Sequence, residues 1–348
     1  MSPFTLTSLA DLQTLKADTI IDVRAPIEFA QDHIPGAINL PVLNDAERET
    51  IGTIYTQDSP FNARKLGGAL VAHNTAHHLR NTLADKDGSW QPLVYCWRGG
   101  QRSGAFATIL DHVGWRVQLL QGGYRSYRRA VVQTLYDHPL PHRLMLIEGG
   151  TGTAKTALLH HLSQLGAQTL DLEGLADHRG SLFGAITTPQ PAQRMFESRV
   201  ANAIGRLDPN KITFVEAESS KIGQRIIPPS LWTCMGNAPR VQINAPLAAR
   251  SHFLCRAYAD LTQDAGTLNR LIDLLRPYHA ASRIALWQAQ AEAAEWQALA
   301  AGLIAEHYDP RYTKSAAANI SAIAQIDMPD LDDTTLARTA RNLLENFT

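Results

Sequence analysis

Pro92-Leu93-Val94-Tyr95-Cys96-Trp97-Arg98-Gly99-Gly100-Gln101-Arg102-Ser103 is the stretch that fixes the class of fold. A short apolar run suited to a buried strand leads straight into a cysteine. Two glycines follow, and then a helical pattern from Gly104 to Val113. A strand that hands a cysteine to the start of a helix gathers backbone N–H groups and the positive helix end around one sulfur. Such surroundings draw a cysteine pKa from about 8.5 into the range of roughly 3.5–7.5. Gly99 and Gly100 allow the tight curl. Arg98 and Arg102 add positive charge, and Ser103 is expected to cap the helix. An isolated cysteine is more often a buried structural one. The strand, glycines, arginines and helix around Cys96 favour a working thiolate that accepts a chalcogen atom.

Working outward, Thr19-Ile20-Ile21-Asp22-Val23 reads as a buried strand with a carboxylate near its end. Trp115-Arg116-Val117-Gln118-Leu119-Leu120 reads as a third strand, stopped by Gly122-Gly123. Strands alternating with helical stretches imply an α/β domain with a parallel sheet over residues 1–130. Two prolines in Asp137-His138-Pro139-Leu140-Pro141-His142 mark residues 131–142 as a linker.

A second α/β pattern covers residues 143–348. Leu144-Met145-Leu146-Ile147-Glu148 is a strand, and Gly149-Gly150-Thr151-Gly152-Thr153-Ala154-Lys155-Thr156 follows it and opens a helix. That is the context of a P-loop. Its N–H groups would wrap a phosphate, Lys155 would reach the oxygens, and Thr156 could meet a magnesium ion. Ala154 stands where the usual pattern has glycine; alanine tolerates helical dihedrals, and the substitution speaks against ordinary nucleotide hydrolysis. Lys211–Glu216 is another buried strand, and Glu216 and Glu218 sit at its end, where a metal-facing carboxylate would lie. The alternative for both is a pair of solvated strand-end acids. Asp171, Glu173, Asp177, His178 and Arg179 follow a further strand and are expected to face the same crevice. After about residue 246 the pattern is mostly helical.

The bulk properties exclude some classes. Of 348 residues, 45% are hydrophobic and 19% charged, enough for two ordinary globular cores. The net charge of −1 means that any nucleic-acid partner must meet a local patch. Arg125, Arg128 and Arg129, set beside Tyr124 and Tyr127, form one candidate for phosphate contact and base stacking; Arg311 and Lys314 are weaker ones. A solvated helix face explains the arginines equally well. Cys96, Cys234 and Cys255 lack metal-ligand spacing and suit a reducing, cytoplasmic setting. No secretory signal and no membrane span is expected.

The N-terminal motifs resemble a rhodanese domain: Ile20-Ile21-Asp22-Val23-Arg24, Glu28-Phe29, His33-Ile34-Pro35-Gly36-Ala37-Ile38-Asn39, the Cys96 loop and Leu120-Gln121-Gly122-Gly123-Tyr124. The resemblance implies structural roles for Asp22 and Arg24. The loop reads Cys-x-x-Gly-x-x-Arg-Ser, one residue longer than in many single-domain rhodaneses, and its Cys-x5-Arg spacing also resembles cysteine phosphatases. With a P-loop domain directly behind it, the whole chain resembles the tRNA 2-selenouridine synthase family. Asp171–Ser181, Phe214–Ser219 and His307–Tyr312 carry the likeness further.

That resemblance implies a tRNA with wobble 2-thiouridine as substrate, selenophosphate as selenium donor, and an S-geranylated intermediate made from geranyl diphosphate. It implies the selenophosphate-producing enzyme as a partner. Cys96 would handle selenium or assist the substitution; Gly99, Gly100, Arg98 and Arg102 would bind the selenophosphate anion. Gly67 and Gly68 resemble a family stretch tied to the geranyl step, and the P-loop would hold the diphosphate. Two other classes stay open on the residues alone: a cysteine phosphatase fused to a kinase-like P-loop domain, and a persulfide carrier.

Overall fold

The computed structural model describes residues 1–316 and 322–347. The chain divides into two compact units. The first comprises Met1–Pro139 together with Pro191–Arg206 and Pro228–Ser230; the second comprises Leu140–Gln190, Leu207–Ile227 and Leu231–Thr348.

The first unit is built on a five-stranded sheet of β1 (Ser2–Phe4), β2 (Thr19–Asp22), β3 (Ile38–Asn39), β4 (Pro92–Tyr95) and β5 (Gln118–Leu120), in the order β1-β5-β4-β2-β3. All pairings are parallel. Strand β4 is buried at every residue, as a central parallel strand covered on both faces must be. Its core joins Ile21, Val23, Val94, Phe106, Leu110 and Trp115. Strand β5 is shorter than the expected run and begins only at Gln118; β1, unmarked in the sequence, pairs beside it.

The stretch expected as a linker, 131–142, is largely helical. The helix Gly123–Val132 continues through a π turn to Asp137, because Val131 and Leu135 are both fully buried. Only the proline-containing residues 138–142 are extended. The helix Gln193–Ile204, far along in sequence, belongs to this first unit.

The second unit has a five-stranded sheet of β6 (Arg143–Glu148), β7 (Gln168–Leu170), β8 (Ile212–Glu216), β11 (Arg240–Asn244) and β12 (Ala324–Asp327). The short hairpin of β9 (Lys221–Ile222) and β10 (Arg225–Ile226) stands apart. The sheet order is β12-β11-β6-β8-β7, all parallel. The C-terminal region is therefore not purely helical. After the helices the chain returns as β12 beside β11, and the amphipathic helix Asp333–Phe347 then covers the sheet through Leu336, Ala340 and Leu343. Among the described residues no helix is long and apolar enough to cross a membrane.

Candidate functional sites

Cys96 follows β4 directly and is 4% exposed. The helix after it begins at Gln101, three residues before the expected start. Ser103 therefore lies inside the first turn and is not the cap. Its hydroxyl donates to Cys96 Sγ at 3.2 Å, a better use of a buried O–H than solvent can offer. Burial raises the thiol's pKa, but the Ser103 hydroxyl and amide, the charge of Arg102 and the Arg98 amide outweigh it. The net shift is downward. Arg102 in turn donates to Glu28 Oε2 at 2.8 Å, with Arg48 3.8 Å from the same oxygen. The Arg98 side chain is exposed.

The glycine curl is locked from outside. Gly99 has φ +66° and Gly123 φ +59°, and the two backbones pack directly together. A Cβ on Gly99 would lie 2.6 Å from the Leu120 carbonyl oxygen. The Cys96 carbonyl accepts from Tyr124 N at 2.8 Å, and the Trp97 carbonyl from Arg125 N at 3.1 Å. The cysteine loop thus caps the helix Gly123–Val132 by satisfying its first free amides. Behind the loop, Arg24 forks onto Asp22 at 2.6–3.0 Å, donates to the Asp32 carbonyl at 2.6 Å, and lies 4.1 Å from the Tyr124 ring centre. Both are buried and out of reach of a substrate.

In the second unit the P-loop turns between β6 and the helix Lys155–Gln164. Ala154 takes left-handed dihedrals, φ 59° and ψ 32°, so the expectation of helical dihedrals is corrected. The chain must reverse there, and alanine tolerates αL at a cost of about 1–2 kcal/mol. Lys155 Nζ donates to the Gly149 carbonyl at 3.0 Å, and Thr153 Oγ1 donates to the Gly150 carbonyl at 2.8 Å. Gly152 sits at φ +82° against Arg250.

Strand β8 lies beside β6, with Ile147 opposite Glu216, which brings the strand-end acid to the P-loop. Thr156 Oγ1 donates to Glu173 Oε2 at 2.8 Å. Burial, then the nearby Glu218 charge, pushes Glu173 up to about 7. Burial, then Glu173 and Asp171, drives Glu216 well above the carboxylate range. Burial also raises Glu218. Neither oxygen of Glu216 has a hydrogen-bond partner. These acids are no solvated pair.

Asp171 is mainly a helix cap, accepting from Gly174 N at 2.7 Å, with His160 3.1 Å away. Asp177 takes φ +48°, and His178 Nδ1 accepts from Gly180 N at 3.1 Å. Their loop packs on the acids: a Cβ on Gly180 would stand 2.5 Å from Glu173 Oε1. Arg179 pairs with Asp260 at 3.0 Å and lies 4.7 Å from the Tyr258 ring centre, while its Nη1 is buried with no partner.

A pocket starts at Thr151 of the P-loop. Apart from Thr151, Ser181, Cys255, Thr262 and the Tyr258 and Tyr308 rings, its lining is apolar: Phe183, Leu254, Leu268, Trp296, Leu299 and Leu303 carry most of it.

A rhodanese-like family model matches residues 5–130, and the model described as the tRNA 2-selenouridine synthase AAA domain matches residues 142–269. A tRNA 2-selenouridine synthase of Nitrosomonas europaea is 36% identical over 75% of this chain and 69% of its own length. The chain belongs to the tRNA 2-selenouridine synthase family. The synthases of Psychromonas ingrahamii (37% identity, 70% of this chain, 65% of theirs) and Hydrogenovibrio crunogenus (35%, 72% and 70%) match similarly. The matched stretches thus span about two thirds of these relatives.

Membership in the synthase family makes this an enzyme acting on tRNA and directs attention to the RNA candidates. Tyr124 and Tyr127 are 3% and 0% exposed, so they do not offer stacking surfaces. The helical period turns both inward and leaves Arg125 and Arg129 exposed. Arg128 is withdrawn as well: it pairs closely with Glu197 and lies 3.7 Å from Asp32, both buried. Arg311 is exposed, donates to the His307 carbonyl at 2.9 Å and stacks 4.6 Å from the Tyr278 ring centre. Lys314 belongs to the helix Asp309–Ala316; its side chain lies outside the described residues.

Two residues that contact the P-loop or its brace went unread in the sequence. Arg250 donates through Nε to the Thr151 carbonyl at 2.8 Å and pairs with Asp309 at 2.6 and 3.0 Å, bracing the P-loop. Asp309 lies within the family-like stretch His307–Tyr312, but nothing in the sequence joined it to Arg250, 59 residues away.

Proposed function

We propose that this enzyme converts wobble 2-thiouridine of tRNA to 2-selenouridine, with selenophosphate as donor and an S-geranylated nucleoside, made from geranyl diphosphate, as intermediate. The observation that carries the geranyl reading is the apolar pocket that begins at Thr151 of the P-loop. A nucleotide extends from its phosphates into a polar sugar and base. A pocket lined by leucines, Phe183 and Trp296 suits a hydrocarbon chain attached to the diphosphate instead. Each buried methylene contributes about 0.8 kcal/mol, so a chain of this size gains several kcal/mol there.

In the first step the thiouridine sulfur attacks the allylic carbon of geranyl diphosphate. A C–S bond forms, the C–O bond breaks, diphosphate leaves with the electron pair, and the N3 proton of the thiouridine passes to solvent. The amides of Gly149–Thr156, Lys155 and the unpartnered Arg179 nitrogen meet that charge. In the second step the selenium of selenophosphate adds at C2, the C2–S bond breaks and geranyl thiolate departs; water then attacks phosphorus, the Se–P bond breaks, and phosphate leaves the 2-selenouridine. Alkylation is what turns sulfur into a competent leaving group. Arg98, Arg102 and the amides around Gly99 and Gly100 hold the selenophosphate, and the downward shift of the Cys96 pKa favours its thiolate beside the selenium.

A magnesium ion fits the P-loop acids. Glu216 offers two buried oxygens without partners, and Thr156 and Glu173 stand beside each other. Among the described residues no three His, Cys, Asp or Glu side chains form a metal cage. Magnesium takes one or two carboxylates and fills its shell with water and phosphate oxygens. Bound there, the ion would supply charge neutralisation for the diphosphate.

The three free cysteines support a cytoplasmic location. The enzyme that makes selenophosphate is the proposed partner for donor supply. The test incubates the protein with 2-thiouridine tRNA, geranyl diphosphate and selenophosphate and reads nucleosides by mass spectrometry. Geranylated and selenated uridine are expected; neither product would sink the proposal. Cys96→Ala should block selenation, and Lys155→Ala should weaken geranylation. Sustained ATP turnover would count against the P-loop as a geranyl diphosphate site.

A further inference from the structure

The first unit holds a second concavity beside the cysteine loop. Between the helices Asp45–Gln57 and Pro60–Arg80 lies an open groove. Leu43, Ile51, Tyr55, Ala63 and Val71 give it an apolar lining. Gln101, Arg102 and Ala105 close one side, and they come from the same helix whose Ser103 contacts Cys96. The groove therefore starts where the thiol's own helix starts.

Two features show what it is shaped for. Gly67 and Gly68 lie within a 21-residue helix, where glycine weakens helical order. No left-handed dihedral or close backbone approach requires them: a Cβ on Gly68 would meet nothing within 4 Å, and one on Gly67 only Ile51 at 3.7 Å. Their missing side chains leave the groove open. The second feature is charge. Arg48, Arg64 and Arg102 line the groove, and Glu28 is the carboxylate paired with Arg48 and Arg102. An apolar trough with surplus positive charge suits an anion that carries a hydrocarbon chain. Tyr55 and the nearby Phe61 and Leu66 remain 54%, 65% and 41% exposed, an apolar surface that no described residue covers.

We propose that this groove holds the alkyl chain of the S-alkylated tRNA nucleoside while selenium replaces sulfur, with Arg48 and Arg64 meeting the adjacent RNA phosphates. The inference rests on the alkylation–selenation reading and deepens it: the chain is bound twice, first as the diphosphate donor in the P-loop unit, then as the departing thiol in the rhodanese-like unit. The second site has a chemical purpose. A chain left in water at the second step would hold the C2–S bond in no fixed direction, whereas an anchored chain aligns it for departure.

The test uses the full-length protein, selenophosphate, and anticodon stem-loops carrying S-geranyl- or S-methyl-2-thiouridine. The wild type is expected to favour the geranyl substrate by about tenfold or more in kcat/KM. Gly68→Phe and Ala105→Phe fill the groove from exposed positions. Each should abolish that preference and leave the S-methyl substrate unaffected, and Ala105→Phe should also leave geranylation of 2-thiouridine unchanged. Preference retained in both filled variants overturns the proposal. So does an equal loss on both substrates, which would mark the groove as an RNA or protein contact only. If the wild type selenates neither stem-loop, the underlying reading fails. Direct binding of the two stem-loops then still decides the groove: a geranyl preference that Gly68→Phe removes supports it, and equal binding rejects it.

Discussion

Ser103 Oγ lies 3.2 Å from Cys96 Sγ and donates to it from inside the first turn of the following helix. The thiolate is thereby held by a hydroxyl, by helix amides and by the nearby Arg102 charge, against the opposing effect of burial. Ser103→Ala should raise the Cys96 pKa and leave the fold intact. One pKa unit corresponds to about tenfold in thiolate fraction when pH lies below the pKa. The rate of alkylation by iodoacetamide, followed against pH, should show its midpoint move upward. An unchanged midpoint would remove Ser103 from the account of thiol activation.

Glu173 titrates near pH 7, pushed there by burial and by Glu218. Its proton is held in the fold to a higher pH than in the unfolded chain. The fold therefore binds more protons between the ordinary carboxylate range and pH 7, and stability falls as pH rises through that window. Glu216 and Glu218 act in the same direction. Without magnesium, diphosphate binding should tighten as pH drops from 8 to 6, because protonation removes negative charge beside the P-loop. Calorimetry at several pH values checks this, and Glu173→Gln should flatten the dependence. Magnesium should strengthen binding most at the upper end.

Arg250 braces the P-loop at Thr151 and is itself held by Asp309. Asp309 is 37% exposed, so solvent screens the pair and its loss should lower stability by only about 1–2 kcal/mol. The effect on the loop should be larger than that figure suggests, since Arg250 loses its orientation. Asp309→Asn should raise the KM for geranyl diphosphate by about tenfold, equivalent to 1.4 kcal/mol. Selenation of an already geranylated stem-loop should be unaffected, which separates a local defect from general unfolding.

Arg125 and Arg129 are exposed, while Arg128 is tied to Glu197 and Asp32. Arg125→Ala and Arg129→Ala should each weaken tRNA binding uniformly and reduce the salt slope by about one. Arg128→Ala should leave that slope unchanged and lower the melting temperature instead, because it strands the buried Glu197 carboxylate at a cost of about 3–5 kcal/mol. Binding isotherms at several salt concentrations, with thermal melts, test the division. Arg128 behaving like its neighbours would show that the ion pair opens for RNA.

The sequence by itself determined the two α/β units, the Cys96 loop and the P-loop, because each is encoded by neighbouring residues. A strand running into Cys-x-x-Gly-Gly and another running into Gly-Gly-x-Gly-x-Ala-Lys-Thr carry their geometry in a dozen positions. Tertiary structure alone decided what each side chain faces. It gave Ser103 to the thiol and left the cap to backbone, put Ala154 at φ 59°, and turned Tyr124 and Tyr127 inward. It joined Arg250 to Asp309 and brought β12 back to β11. The inward tyrosines, the Arg250–Asp309 pair and the return of β12 depend on contacts between residues tens of positions apart, where desolvation of charges and packing of faces select the partner. No local pattern records that selection, and so the thiol and the phosphate loop were legible while the groove beside one and the apolar pocket beside the other were not.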